Sequence, residues 1–575
     1  MYQKADQIFL ISGGEPKLPK PKDVPLEMGF EIAATIIKDW LISCEDHLEC
    51  NTYNFPRSDN QNLVSSDGTE LLELSLPKRL IFLDEDLKSA RLVSCPMTST
   101  ISYAALSYCW GGDENFKTVE STLPELERNI PLDQLPQTLT DAFNLTKKIG
   151  LDYLWIDAIC IVQGNQGEGK QEWEQESRKM GRIYANAKIV LSATRIISVT
   201  QGMFGLRSTV PLSNDVRTDS ICARRNLNHE IITSCRTKSD KWWETNINST
   251  FPLLSRGWGF QERMLATRVV HFTPTELVWE CQKCRKCECE VIQSNLYTSM
   301  NNMLAALRVC LNSPWDEVSM RQMWRELVRS YSVRRLTQID DKLPAISGIA
   351  ELFKEKSGDM YAAGLWKRSL PFDLLWRCDQ TGDLKIAKTR SPSWSWISVD
   401  GAIKWPVSQQ PGNDTSLKYI SSTTYFEGRA EGVKVCSVTC ELDGSNELGR
   451  VKSAAISLRT RLALASITMV PKPEWYDLHG TIWALQAGEE LELAPFWPDI
   501  NKEGLGYDPV RKIANDGFYV MEVMKAGKQT WPWGDGLVVK LVEGSETKFE
   551  RVGAFSNIDP ETVGSTAGRK SHFEG

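Results

Sequence analysis

Between residues 101 and 193, short apolar runs alternate with longer amphipathic segments, and few folds accommodate that order. The apolar runs Tyr103–Cys109, Tyr153–Ile156 and Lys188–Ala193 have the length and composition of buried strands. In the two segments between them, Leu135–Ile149 and Glu172–Asn186, apolar residues recur at helical spacing. This succession of strands and helices predicts an α/β fold built on a parallel sheet.

The rest of the chain divides into regions of different predicted secondary structure. A helix is expected at Glu31–Cys50, followed by short strands at Arg79–Leu83 and Ala90–Cys95. Beyond Ser391, short alternating runs separated by glycine and polar turns indicate a β-rich domain. The predicted organisation is residues 1–100 as helix and short strands, 101–290 as the α/β domain with a candidate insertion at 207–250, 291–390 as a helical region, 391–557 as the β-rich C-terminal domain and 558–575 as a disordered tail.

Composition and charge exclude several classes of protein. Lys and Arg number 67 against 74 Asp and Glu, so the net charge of −7 lacks the positive field of a protein that binds nucleic acid or anionic membranes. No apolar run approaches the roughly 18 residues of a membrane span. The first residues lack the apolar core of a signal peptide, so a cytoplasmic location is expected. The 15 cysteines are then expected to be mostly reduced.

Four segments carry a resemblance to a known family. They are Tyr103–Gly112 (YAALSYCWGG), Leu154–Ile161 (LWIDAICI), the helical segment Trp173–Ala187 and Ser255–Glu262 (SRGWGFQE). In this order and spacing they resemble the fungal heterokaryon-incompatibility (HET) domain, over residues 100–265. The resemblance implies a fungal protein with a role in non-self recognition that ends in programmed cell death.

Polar and small residues follow the first two strands of the predicted sheet. Ser107, Trp110, Gly111 and Gly112 lie at the carboxyl end of the first strand, and Asp157 follows the second. Ligands of open α/β sheets bind beside such strand ends. The first four are therefore candidate substrate contacts, and Asp157 is a candidate catalytic group. The alternative for Asp157 is that it caps a turn by accepting a hydrogen bond from a neighbouring backbone N–H.

The helix after the second strand bears another candidate catalytic residue. HET domains are remotely similar to TIR domains, and some TIR domains cleave NAD with a glutamate that follows a tryptophan by three positions on a helix. Trp173 and Glu176 have this spacing, so the resemblance implies Trp173 as a substrate contact, Glu176 as a catalytic group and NAD as the substrate, with no cofactor required. A nearby carboxylate would stabilise the oxocarbenium-like transition state. The alternative is that Glu176, like Glu172 and Glu174, only complements the helix dipole.

A glycine-containing turn later in the domain adds further candidates. Arg256, Trp258 and Glu262 surround this turn, and we expect them to line the same cleft as Asp157 and to contact the substrate. The alternative is an ion pair between Arg256 and Glu262 that braces the turn, which is a common use of arginine–carboxylate pairs.

A dense cysteine motif follows the turn. Thiolates at such spacing can hold zinc, so the candidate metal ligands are Cys281, Cys284, Cys287 and Cys289. Four ligands within nine residues surround a single ion poorly. Cys44, His47 and Cys50 are further candidate ligands far away in the sequence, but nothing in the sequence brings them close. The alternative is a redox-sensitive loop, because the basic residues between the thiols would make them reactive.

Three functions remain open on this reasoning. The first is a cell-death effector that acts by NAD glycohydrolysis, with a nucleotide as its small-molecule partner. The second is a non-enzymatic module that signals by self-assembly, as TIR-like folds also do. The third is an enzyme on the HET scaffold that acts on another small molecule. In each case the trigger is expected to bind the chain itself or to come from a protein partner.

Overall fold

The computed structural model describes most of the chain outside its ends and several long connections. The described residues are 22, 24–52, 76–95, 101–112, 116–164, 167–207, 251–290, 293–295, 303–312, 314, 316–378, 385–386, 392–405, 433–444, 446–471, 481–487, 494–498, 513–524, 534–545, 547–558 and 570–572. The candidate insertion at 207–250 lies outside them except for Arg207. The candidate tail at 558–575 lies outside them except for Ile558 and Lys570–His572, which pairs with Arg459–Arg461.

The helices and strands follow in chain order. The helices are α1 (Phe30–Glu45), α2 (Leu48–Thr52), α3 (Leu123–Leu126), α4 (Gln137–Lys148), α5 (Asp157–Cys160), α6 (Gly167–Asn186), α7 (Gly257–Leu265), α8 (Met303–Asn312), α9 (Glu317–Ser332) and α10 (Ser347–Ser357). The strands up to residue 295 are β1 (Glu27–Met28), β2 (Arg79–Leu83), β3 (Ala90–Ser94), β4 (Ala104–Ser107), β5 (Tyr153–Trp155), β6 (Ile189–Ser192), β7 (Gly205–Leu206), β8 (Arg268–Phe272), β9 (Leu277–Cys281), β10 (Cys284–Cys287) and β11 (Gln293–Asn295). The later strands are β12 (Tyr361–Ala362), β13 (Leu365–Trp366), β14 (Arg377–Cys378), β15 (Lys385–Ile386), β16 (Val399–Asp400), β17 (Ile403–Lys404), β18 (Lys434–Leu442), β19 (Val451–Arg461), β20 (Ala463–Pro471), β21 (Thr481–Ala487), β22 (Ala494–Pro498), β23 (Ile513–Met524), β24 (Gly534–Leu541), β25 (Phe549–Ile558) and β26 (Lys570–His572).

A mixed sheet of nine strands organises the first half of the chain, in the order β11-β10-β9-β8-β6-β4-β5-β2-β3. The central strands β5, β4, β6 and β8 run parallel to one another, and antiparallel strands extend the sheet on both sides. Every residue of β4 and β6 is buried, as expected of strands covered on both faces. The predicted α/β fold with a parallel sheet is confirmed at this centre.

The order of the parallel strands creates a crevice. From β4 the chain passes through α4 to β5 on one side, and then through α6 to β6 on the other side of β4. Connections that leave a central strand in opposite directions open a crevice at the carboxyl ends of the strands. The residues after β4 and β5 are therefore at the place where this fold type binds ligands.

The second half of the chain is built around a separate core. Helices α8, α9 and α10 share one cluster of buried residues with β18, β19 and the strands β23 to β25, and Trp324, Trp376 and Trp396 are fully buried in it. Strands β18, β19 and β26 form a three-stranded sheet. Strands β20 to β25 form a closed antiparallel sheet, so the predicted β-rich C-terminal region is confirmed. No helix among the described residues is long and apolar enough to cross a bilayer.

Candidate active-site cleft

A cleft of about 1270 Å³ opens at the carboxyl ends of β4 and β5. Its lining contains eight of the residues predicted for the site: Trp110, Gly111, Gly112, Asp157, Trp173, Arg256, Trp258 and Glu262. Four separate segments of the chain supply them. The strand ends and the turn before α7 thus come together at one site, as the sequence reasoning expected of them.

A tight turn after β4 forms one edge of the cleft. Gly111 and Gly112 both have positive φ angles, 74° and 92°, a region that favours glycine. A Cβ atom at Gly111 would lie 2.6 Å from Cα of Ser198, so a side chain does not fit there. The turn brings backbone close to the cleft and holds the neighbouring Trp110 at its edge.

Asp157 begins the short helix α5, directly after β5. Its Oδ2 accepts a hydrogen bond of 2.9 Å from Nε1 of Trp110, and its Oδ1 accepts one of 2.7 Å from the backbone N–H of Ala158. Burial raises the pKa of this carboxyl, while the charge of Arg256 and the two hydrogen bonds oppose the rise. The hydrogen bond from Ala158 is the turn cap that was considered as the alternative role for Asp157, but the same carboxyl also lines the cleft.

Glu262 on α7 is the second carboxyl in the cleft lining. It is 5% exposed, and it accepts a hydrogen bond from the hydroxyl of Ser107, which reaches it from the end of β4. Burial raises the pKa of Glu262 to about 7, and the charge of Asp157 adds to this, whereas Arg256 and Ser107 lower it. Ser107 is itself buried and acts on the cleft through Glu262.

Arg256 is placed by its backbone neighbours. Its guanidinium donates a hydrogen bond to the carbonyl oxygen of Tyr108, and its charge lowers the pKa of both Asp157 and Glu262. The backbone of the turn is fixed by a hydrogen bond of 2.8 Å from the N–H of Gly257 to the carbonyl of Arg335. A main-chain carbonyl therefore orients Arg256, and the charge of Arg256 favours the ionised form of both carboxyls.

The opposite wall combines two tryptophans of the α/β domain with two residues from the second half of the chain. Trp173 and Trp258 meet edge to face with ring centroids 6.1 Å apart, and the guanidinium of Arg450 lies 5.4 Å from the ring of Trp173. Asp341 holds both sides of this wall, since it accepts from Arg450 at 2.8 Å and from the indole of Trp258 at 3.3 Å. Sequence reasoning missed Asp341 and Arg450, because only the docking of the second core brings them to the cleft.

Glu176 lies outside the cleft. Its Oε2 accepts from the backbone N–H of Lys78 at 3.0 Å and its Oε1 pairs with Lys179 at 2.9 Å. Glu172 stands one helical turn earlier on the same side of α6, where it pairs with Lys78 at 2.5 Å and with Arg79. Although Trp173 and Glu176 are only three residues apart on the helix, Trp173 lines the cleft, whereas Glu176 is buried against Lys78 and Lys179. These two predicted site residues therefore face different surroundings.

The predicted cysteine ligands do not gather around one point. Side chains alternate across β9 and β10, so Cys281 and Cys284 occupy one face of the sheet, with their sulfurs 3.7 Å apart, while Cys287 is on the other face. On that other face Cys287 and Cys289 group with Glu276. Cys281 instead groups with Cys44, His47 and Cys50, which the sequence alone could not bring close. These four residues form a cluster that could hold a metal ion.

Comparison with known proteins gives one result. A search of the curated proteins and a search of the solved structures each return no significant match to the chain. Among family models, the one described as "Heterokaryon incompatibility protein (HET)" matches residues 103–262. This range begins just before β4 and ends at Glu262, so it contains the strand ends and the glycine turn that form the cleft. Residues 103–262 of this chain therefore form a HET domain, which implies a role in heterokaryon incompatibility and the cell death associated with it.

Proposed function

We propose that the cleft binds NAD and cleaves its ribosyl–nicotinamide bond, so that the chain causes cell death by consuming NAD. The observation that carries this proposal is the convergence of two carboxyls in different environments, Asp157 and Glu262, beside aromatic side chains in one cleft. The resemblance of HET domains to TIR domains supports the choice of NAD. We do not include Glu176 among the catalytic residues, because it contacts Lys78 and Lys179 outside the cleft.

The cleft offers complementary groups for each part of a dinucleotide. Trp173 and Trp258 provide apolar faces for a planar ring, which is a frequent use of indole side chains in ligand sites. Lys117, Lys170 and Arg335 lie in the lining and suit a pyrophosphate. At Gly112 the space that a Cβ atom would fill is open, so a ligand can approach the backbone of the turn closely there.

The two carboxyls suit two different steps. Burial raises the pKa of Asp157, while the charge of Arg256 and two N–H hydrogen bonds favour its ionised form. In that form it can stabilise the positive charge that develops on the ribose. As the C–N bond breaks, its electron pair moves to the nicotinamide nitrogen and neutralises the ring. Water then adds to the ribosyl carbon and gives up a proton. Glu262, with a pKa of about 7, can take that proton near neutral pH.

The test compares Asp157→Asn with Glu176→Gln in the purified full chain incubated with NAD. Released nicotinamide and ADP-ribose are measured by chromatography. Asp157→Asn preserves the shape of the side chain and removes its charge, so kcat should fall on the order of 10²–10³-fold. Glu176→Gln is the matched control, because it removes a carboxylate that lies outside the cleft lining, against Lys78 and Lys179, and its kcat should stay close to that of the unaltered chain.

Cell death gives the second measurement. On overexpression, toxicity and loss of cellular NAD should fall together in Asp157→Asn and persist in Glu176→Gln. A folded, toxic wild-type chain that leaves NAD intact would refute the proposal. Toxicity that survives Asp157→Asn would instead favour the self-assembling module, and toxicity that is lost without any NAD consumption would favour an enzyme with another substrate.

A further inference from the structure

A cluster of three thiols and one imidazole joins the start of the chain to the central sheet. Cys44 is on α1, Cys50 is on α2, His47 lies between these helices, and Cys281 ends β9. The four potential ligand atoms all lie within 4.8 Å of one another. The three cysteines are each at most 4% exposed, so the cluster is shielded from solvent on its sulfur side.

The spacing within the cluster matches one tetrahedral ion. Bonds of about 2.3 Å to sulfur and about 2.0 Å to nitrogen put a sulfur and a nitrogen about 3.5 Å apart around a tetrahedral zinc. Nδ1 of His47 lies 3.5 Å from Sγ of Cys281 and 3.7 Å from Sγ of Cys50. One nitrogen thus stands at ligand–ligand distance from two sulfurs that come from opposite ends of the domain.

The surroundings compensate the charge that such a site would carry. Three thiolates and one Zn²⁺ leave a net charge of −1, which needs a nearby cation in a buried position. Arg268 on β8 supplies it, since its Nε donates to Sγ of Cys44 at 3.2 Å. The same guanidinium reaches the carbonyl of Cys50 at 3.5 Å and Oδ1 of Asn51 at 3.3 Å, which ties it to both helices.

We propose that Cys44, His47, Cys50 and Cys281 bind a structural zinc ion that fastens α1 and α2 to β9. A compact tetrahedral set of sulfur and imidazole ligands selects zinc among the common metals, and four protein ligands leave no open position for a substrate. The site is separate from the cleft and does not depend on its activity. Cys284 lies 3.7 Å from Cys281 but outside the mutually close group, so it is not one of the four ligands.

The test is the metal content of the full chain, purified without chelators and measured by mass spectrometry. Wild type should contain about one zinc per chain. Cys44→Ser and His47→Ala should lose most of it. Cys289→Ser is the matched control, because it removes a thiol from the group on the other face of the sheet, and it should keep the full content.

A ligand variant that fails to fold also loses zinc, so a variant with a replacement ligand is included. His47→Cys restores a fourth ligand, so it should retain zinc, and its cobalt-substituted form should gain thiolate-to-cobalt absorption relative to wild type. Wild type that contains no zinc and gives no tetrahedral cobalt spectrum would overturn the proposal. So would zinc that is lost in Cys289→Ser and kept in Cys44→Ser, since that result assigns the ion to the group with Glu276.

Discussion

Two pairs of carboxylates lie near helix α6, one pair packed against the residues at the start of β2 and the other at the cleft, and their surroundings differ. Glu172 and Glu176 lie against the start of β2, where Lys78 and Arg79 contact them, and Glu176 also pairs with Lys179 on its own helix. Asp157 and Glu262 face the cleft, where hydroxyl, indole and backbone N–H groups contact them. One pair is therefore neutralised by direct ion pairs, and the other is held by neutral donors with a cation at longer range.

The pKa values follow these surroundings. Burial opposes the ionisation of Glu172, but Lys78, the N–H of Val162 and Arg79 outweigh it and lower the pKa. For Glu262 burial prevails and the pKa rises to about 7. A carboxylate that is fully paired with cations stabilises the fold and has little capacity for proton transfer. A buried carboxyl without a direct ion pair is a candidate for acid–base chemistry. The comparison gives Glu172 a structural role and leaves Asp157 and Glu262 as the candidates for chemistry.

The largest expected effect on stability is at Glu172. Glu172→Ala leaves Arg79, which is 3% exposed, without its carboxylate, and it also frees the buried N–H of Val162. Loss of one partner of a buried ion pair costs about 3–5 kcal/mol. Chemical denaturation at pH 7 should show a decrease of this size in the free energy of unfolding.

The paired change Arg79→Met with Glu172→Met is the control for that measurement. It removes both charges and keeps much of the volume, so it should recover a large part of the lost stability. Equal destabilisation by Glu172→Ala and by Asp157→Ala would contradict the contrast between the two pairs of carboxylates.

A smaller effect of opposite sign is expected at Glu262. Its pKa rises from 4.5 to about 7 on folding, so the folded state holds the proton more tightly. This contribution to stability is complete below pH 4.5 and is lost as pH rises through 7, to a limit of about 3 kcal/mol. Glu262→Gln keeps an acceptor for Ser107 and cannot ionise, so at pH 8 it should be about 1–2 kcal/mol more stable than wild type.

Denaturation at several pH values separates this cause from a general packing effect. The advantage of Glu262→Gln should shrink toward zero at pH 5, where wild type is also protonated. An advantage that is independent of pH, or a variant that is less stable at pH 8, would place Glu262 with the paired carboxylates at the start of β2.

The sequence predicts the parts of this molecule that depend on local pattern. Apolar runs and helical periodicity located β4, β5, β6 and α6 closely, and the rule for strand ends located Asp157. The pattern could not tell what surrounds Glu176 on α6. One of its two partners, Lys78, directly precedes β2 and lies about a hundred positions away in the sequence. The same limit applies to His47 and Cys281, which meet only after the sheet has formed.

The smallest expected effect tests the outer wall of the cleft. Arg450→Met keeps the length of the side chain and removes the charge that lies over Trp173 and pairs with Asp341. If NAD binds against Trp173, the loss of this support should raise KM about fivefold, with kcat nearly unchanged, because Arg450 does not contact the carboxyls that act on the bond. Lys179→Met is the matched control outside the cleft, where it removes the partner of Glu176. It should lower the melting temperature and leave KM as it was. If Lys179→Met raised KM as much as Arg450→Met, the two regions would not be functionally distinct.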